Sequence, residues 1–235
     1  MHTIIEALTA WTDKLYETFI VGGNYKMLID GLGNTLIISV AALVIGVVLG
    51  FTVSVIKFLS EEKSYLKPLA KLCDIYVTAI RGIPVVVLLL LFYFVFMPRA
   101  DGLVTGIVTF GINSSAYMAE IVRSGIAAVE RGQTEAARSL GFNRLQAMRY
   151  VVLPQAVKNI LPAIGNEMIA LLKETAVAGY VAVMDITRAA NLIRNNTYDA
   201  FNPLMATAIV YLTLVIILTK LLGIFEKRLR KSEAH

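Results

Sequence analysis

The chain has 235 residues, 57% of them hydrophobic and 17% charged, with a net charge of +5 and a mean hydropathy of +0.69. Soluble domains carry about 25% charged residues, so this composition excludes an ordinary soluble protein and calls for lipid around it. The basic excess does not indicate nucleic acid, because Lys and Arg are scattered between apolar stretches and form no continuous basic face.

Residues 1–30 read as an extracytoplasmic segment ahead of the first span. Residues 31–56 then run without a charge, longer than the roughly 20 residues a helix needs to cross a bilayer. They lack the short apolar region and small-residue cleavage site of a removable signal peptide and are expected to stay in the mature chain. Further spans are predicted at residues 68–97, 103–128, 160–184 and 203–223, giving an all-α membrane protein with five transmembrane helices in one domain, 31–230. Residues 231–235 form a tail. Neither an inverted internal repeat nor a low-complexity segment is visible.

Cys73 stands alone among apolar residues, so neither a disulfide nor a thiolate metal site can be built, and it reads as a small buried side chain. His2 and His235 sit at the two ends, leaving the interior without a histidine base or metal ligand. Fifteen of the Lys and Arg residues in the loops, at the span ends and beyond the spans fall on one face and five on the other, with Arg81 and Lys173 left inside spans, and basic flanks stay on the cytoplasmic side. The N-terminus is therefore expected outside and the C-terminus inside.

The second span holds Arg81, Gly82 and Pro84, and the fourth holds Pro162, Gly165, Asn166, Glu167, Lys173 and Glu174. Charged or unsatisfied groups are expensive in lipid, so both spans should face protein or water. Glu167 needs a cation or water, and a substrate ammonium is one such cation. A structural ion pair is the alternative, but Lys173 lies six residues on, off the same helix face, and Glu174 repeats the negative sign. Asn113, Ala116, Tyr117 and Glu120 share one face of the third span. Asn113 offers both donor and acceptor, and interhelical hydrogen bonding is the competing role for Asn113 and Ser114. Arg81 could hold a substrate carboxylate bidentately or serve a structural contact. The aromatic run Phe92, Tyr93, Phe94 and Phe96, like Tyr198 and Phe201, is expected at the outer interface.

The cytoplasmic loop 129–158 contains GQTEAARSLGFNRLQAMRYVVLP from Gly132 to Pro154. Thr134 is a candidate cap for a helix beginning at Glu135, Gly141 can end it in a left-handed conformation, and Asn143 can start a new helix towards Pro154. Two turns are marginal alone, so this helix needs a partner. Ala136 and Ala137 give it a small-residue surface for close approach. An amphipathic helix on the bilayer, with Arg138, Arg144 and Arg149 on lipid phosphates, is the other reading.

Glu135, Ala136, Ala137, Gly141, Val151, Leu153 and Pro154 resemble the EAA motif of ABC importer permeases, with Val151 in place of the usual isoleucine. Arg81-Gly82-Ile83-Pro84, Asn113-Ser114-Ser115-Ala116-Tyr117, Pro154-Gln155-Ala156 and Gly165-Asn166-Glu167 are similar to the polar amino-acid branch, which often has threonine where Ile83 stands. The resemblance implies a type I (MetI-like) importer permease in a bacterial cytoplasmic membrane. Glu135, Ala136, Ala137 and Gly141 would belong to the coupling helix that docks on a separate ATPase subunit. It further implies substrate contacts at Asn113, Ser114 and Glu167, with Val85 and Leu88 as apolar walls. Implied partners are the cytoplasmic ATPase subunits, a second permease chain, identical or closely related, an external substrate-binding protein and an amino acid. The sequence has no G-x-x-x-x-G-K-[ST] loop to cradle a nucleotide phosphate, so ATP and its Mg are expected on the partner and no cofactor on this chain. A passive channel, with Glu167 and Asn113 lining a pore, is the alternative from another class.

Overall fold

The computed structural model describes residues 2–231, which form helices joined by short turns. In chain order these are α1 (His2–Tyr16), α2 (Tyr25–Ser60), α3 (Lys67–Gly82), α4 (Val85–Leu91), α5 (Gly102–Ala127), α6 (Arg131–Ser139), α7 (Arg144–Ala147), α8 (Leu153–Glu174), α9 (Ile186–Thr197) and α10 (Phe201–Lys231). Short π-helical turns occupy Phe92–Phe96 and Met148–Val152, and a 3-10 stretch Thr175–Val181 follows α8.

With 36 residues, α2 is about 54 Å long at 1.5 Å per residue and outreaches the bilayer core. It lies along α5 over most of its length, in the largest helix contact of the fold. Glycines four residues apart make this possible, since a Cβ on Gly46 would stand 2.6 Å from Ser114 Oγ and one on Gly50 2.4 Å from Met118 Cβ. Such small-residue stripes let helix backbones approach closely in lipid. The main core gathers Ile38 and Ala42 of α2, Leu89 of α4, Phe110 of α5, Leu171 of α8 and Val181. A smaller one joins Val122 of α5 to Ala156 and Ile160 of α8.

By length and apolarity α2 and α10 can each cross a membrane, and α3 with α4 forms a third unit bent by 106°. The single second span expected at 68–97 is thus broken. Proline offers no N–H and biases its predecessor away from the helical region, and Ile83 accordingly adopts φ −97°, ψ 130° before α4 restarts at Val85. The fourth span also differs from expectation, because α8 begins at Leu153 and ends at Glu174, with residues up to Val181 tightening into 3-10 turns. Outward faces of α2 and α10 expose Val40, Val44, Val48, Leu212, Ile216 and Leu221, as a lipid-facing bundle does. Cys73 is buried.

Candidate functional site

α3, α5 and α8 border an open pocket of about 370 Å³ lined by Arg81, Tyr117, Glu120, Ile121, Ser124, Ala163, Asn166 and Glu167. Each charged group in it is held differently. The Arg81 guanidinium lies 5.4 Å from the Tyr117 ring centroid, a cation–π contact, and no carboxylate comes within 4.0 Å of it among the described residues. Glu120 is already neutralised by Arg123, whose Nε and Nη2 donate at 2.9 and 2.5 Å. Glu167 accepts a hydrogen bond from Ser114 Oγ at 3.0 Å, a neutral partner that leaves its charge uncompensated. The pocket therefore holds a carboxylate, Glu167, whose hydrogen-bond partner is neutral, and a cation, Arg81, that feels Glu120 at longer range without closing an ion pair with it.

Of the five expected substrate contacts, only Glu167 lines this cavity. Ser114 is fully buried and acts behind Glu167. Asn113 turns away to donate from Nδ2 to Glu174 Oε2 at 3.1 Å, so consecutive residues of α5 each hold one carboxylate of α8. Val85 packs against the main core and Leu88 is 4% exposed, so both support the bundle rather than the cavity. Arg81 moves from the margin of the expectation into the cavity, brought there by the break at Pro84. Glu174 repeats the sign of Glu167, and its spacing of seven from Glu167 puts both on one face of a helix, each held from α5.

The loop between α5 and α8 stands out at one end of the bundle. α6 starts at Arg131 after extended Glu130, so Thr134 lies inside the helix and is not its cap. The extra turn touches the bundle, where Gln155 Nε2 on α8 donates to Gln133 Oε1 at 3.3 Å. Gly141 closes the helix with φ +87°, its N–H reaching Arg138 O at 3.0 Å. Asn143 caps α7 in a reciprocal box with Gln146. Glu135 and Ala136 are exposed while Ala137 is buried, so only the first alanine offers the expected surface. The sequence reading missed Leu140, which is 80% exposed beside Gly141. The loop is also tied back to α2, because the Arg144 guanidinium pairs with Glu61 and lies 5.0 Å from the Phe58 ring centroid.

An apolar-coated bundle with an open pocket carrying both signs of charge, and a docking-loop helix braced to its longest member, belongs to the class of membrane transport subunits. Residues 57–231 match the family described as binding-protein-dependent transport system inner membrane component, and the chain belongs to that family. Among curated relatives, it is 40% identical to the Bacillus subtilis protein named as a probable glutamine ABC transporter permease, GlnM, over 89% of this chain and 96% of that one. It is 36% identical to the arginine transport system permease ArtQ of Bacillus subtilis, over 88% and 94%. Among solved structures, an amino acid ABC transporter crystallised with histidines is 42% identical with a TM-score of 0.82, over 89% of this chain and 98% of that one. The inward-facing methionine ABC transporter MetNI shares the fold, with a TM-score of 0.75 at 21% identity over 87% and 97%.

Proposed function

We propose that this chain forms the translocation pathway of an ATP-driven importer for a polar amino acid, with Arg81 holding the substrate carboxylate and Glu167 its ammonium. The observation that carries this reading is the pocket that both groups line, where neither closes an ion pair among the described residues. Relatives named for glutamine and arginine transport support the substrate class. Ser114 fixes Glu167, and Asn113 with Glu174 stiffens the next contact between α5 and α8. Val85 and Leu88 act as packing that keeps α4 in place.

In this reading five crossings, with the α3–α4 pair as one, span 31–230 in a bacterial cytoplasmic membrane, with the N-terminal segment 1–30 outside and the C-terminal tail 231–235 inside. Loop 129–158 is cytoplasmic. Glu135, Ala136 and Gly141, with buried Ala137 behind them, dock on a separate ATP-binding-cassette subunit that supplies ATP, Mg and hydrolysis. This chain is a transport subunit and not itself the enzyme. A second copy or close paralogue completes the pathway, and an external binding protein delivers the amino acid. Each partner drives a change of state only through different affinity for the two conformations.

Reconstitution with the ATPase and binding protein, followed by a screen of amino acids for stimulated hydrolysis, tests the assignment. A polar amino acid is expected to raise hydrolysis several-fold, and a flat response to all of them overturns the assignment. Solute flux without ATP would instead support a passive pore.

Gly141→Val should uncouple hydrolysis from uptake. Its φ of +87° suits glycine, and a β-branched residue there is a conformational outlier. The end of α6 should then shift, and transport per ATP should fall about tenfold or more while the complex still assembles. Unchanged coupling would remove α6 from the mechanism.

A further inference from the structure

Tyr198 closes α9 with φ 54° and ψ 23°, a left-handed position where helices place glycine or asparagine and where a bulky residue is an outlier. Its side chain is 96% exposed, so no contact within the chain compensates for that backbone. Such strain persists where the surroundings enforce it, and it clusters at functional positions.

The surroundings do enforce it. Asp199, only 5% exposed, accepts from Phe201 N at 3.0 Å, from Asn202 N at 3.3 Å and from Asn202 Nδ2 at 2.6 Å. Lys14 of α1 reaches the same carboxylate at 3.3 Å. Thr197 Oγ1 donates to Ile193 O at 2.8 Å and accepts from Asp199 N at 3.4 Å. The Tyr198 ring is thus presented from a fixed corner, not from a slack loop. Around it Asn195, Asn196 and Thr197 are exposed, with Phe201 57% exposed and no exposed carboxylate between Asn195 and Phe201. Rigid aromatics set among adaptable amides are enriched on protein recognition surfaces.

The corner's place in the fold gives the partner. α8 runs 22 residues away from the docking loop, about 33 Å at 1.5 Å per residue, and α10 lies antiparallel to it, with Leu222 against Gly165 and Tyr211 against Thr175 just past α8, so the start of α10 at the α9–α10 corner lies at the opposite end of the bundle from α6. The family's members depend on a binding protein, which in the proposed orientation arrives at this end. We infer that Tyr198, flanked by Asn195 and Phe201, is the anchor on which the external binding protein docks. This rests on the orientation given under Proposed function.

Two measurements on the full transporter in nanodiscs or intact cells separate that orientation from the inference. In a Cys73→Ala background, Tyr198→Cys should react with a membrane-impermeant maleimide added outside the cell. Absence of outside labelling overturns both. Tyr198→Gly relieves the backbone, so the thermal midpoint should hold or rise. Affinity for the binding protein identified in the reconstitution should meanwhile fall about thirtyfold, as for a hot-spot aromatic, and stimulated hydrolysis should fall with it. Unchanged affinity with outside labelling intact overturns the anchor alone. So does dissociation of the permease pair, which would give the corner to a second copy, or a loss seen only when the lipid headgroup is changed.

Discussion

Glu167→Gln is expected to reduce transport about 10- to 150-fold while leaving the protein folded and assembled with its ATPase. The glutamine carbonyl can still accept from Ser114 Oγ, which contacts Glu167 Oε1 at 3.0 Å, and the side-chain volume is preserved. What disappears is the charge facing the cavity beside Asn166 and Ala163. A hydrogen bond to a charged group contributes about 1.5–3 kcal/mol, which corresponds to that range of rates or affinities. Transport measured in proteoliposomes, with assembly followed by co-purification of the ATPase, reads the two effects separately. Lost assembly with the remaining transport normal would assign Glu167 to the scaffold, and an unchanged rate would remove it from the substrate path. Arg81 is expected to behave in parallel, because it is the other charged group in the pocket that closes no ion pair among the described residues.

The pattern of apolar runs was sufficient to predict the long helices, and the periodicity of α5 was sufficient to put Asn113, Ala116, Tyr117 and Glu120 on one side. It could not show which way adjacent residues lean once helices pack. Asn113 and Ser114 differ by 100° around α5, and that rotation sends one to Glu174 and the other to Glu167. Arg81 was ambiguous for a related reason: its direction depends on a 106° bend, and Pro84 announces the bend but not its angle. Capping preference at Thr134 is local and does not set the start of α6, which begins one turn earlier at Arg131 with no side-chain cap. Gly46 and Gly50 form a small-residue pair four apart in an apolar span, a sequence-level packing signal, and both abut α5.

That glycine pair connects the loop to the cavity. The loop is braced on the end of α2 through Arg144, Glu61 and Phe58. Fifteen residues up the same helix, Gly46 abuts Ser114, and Ser114 holds Glu167. A displacement of α2 along its axis would therefore reach the candidate substrate carboxylate through packed atoms, not across a gap. Tyr76 adds a second brace, its hydroxyl 2.5 Å from Ser115 Oγ, so α5 is gripped by α2 and α3 on neighbouring residues.

Gly50→Leu is accordingly expected to be the most damaging substitution in α2. Even a lone Cβ at Gly50 would lie 2.4 Å from Met118 Cβ, 2.7 Å from Ser115 O and 2.8 Å from Ala119 N, contacts that only a backbone movement can relieve. Overpacking by a few atoms already costs about 1–3 kcal/mol, and a leucine adds three carbons beyond that Cβ. The purified protein should show a clearly lower thermal midpoint and a reduced folded yield. Whatever folds should transport poorly, because separating α2 from α5 pulls on the residues that position Ser114. Gly33→Ala is the matched control in the same helix, where a Cβ meets nothing within 4 Å; it should leave the midpoint unchanged or slightly higher, since alanine is the better helix former. If both variants melted together near the parent value, the α2–α5 seam would not be the close contact described, and the route from the docking loop to Glu167 would have to run through α8 alone.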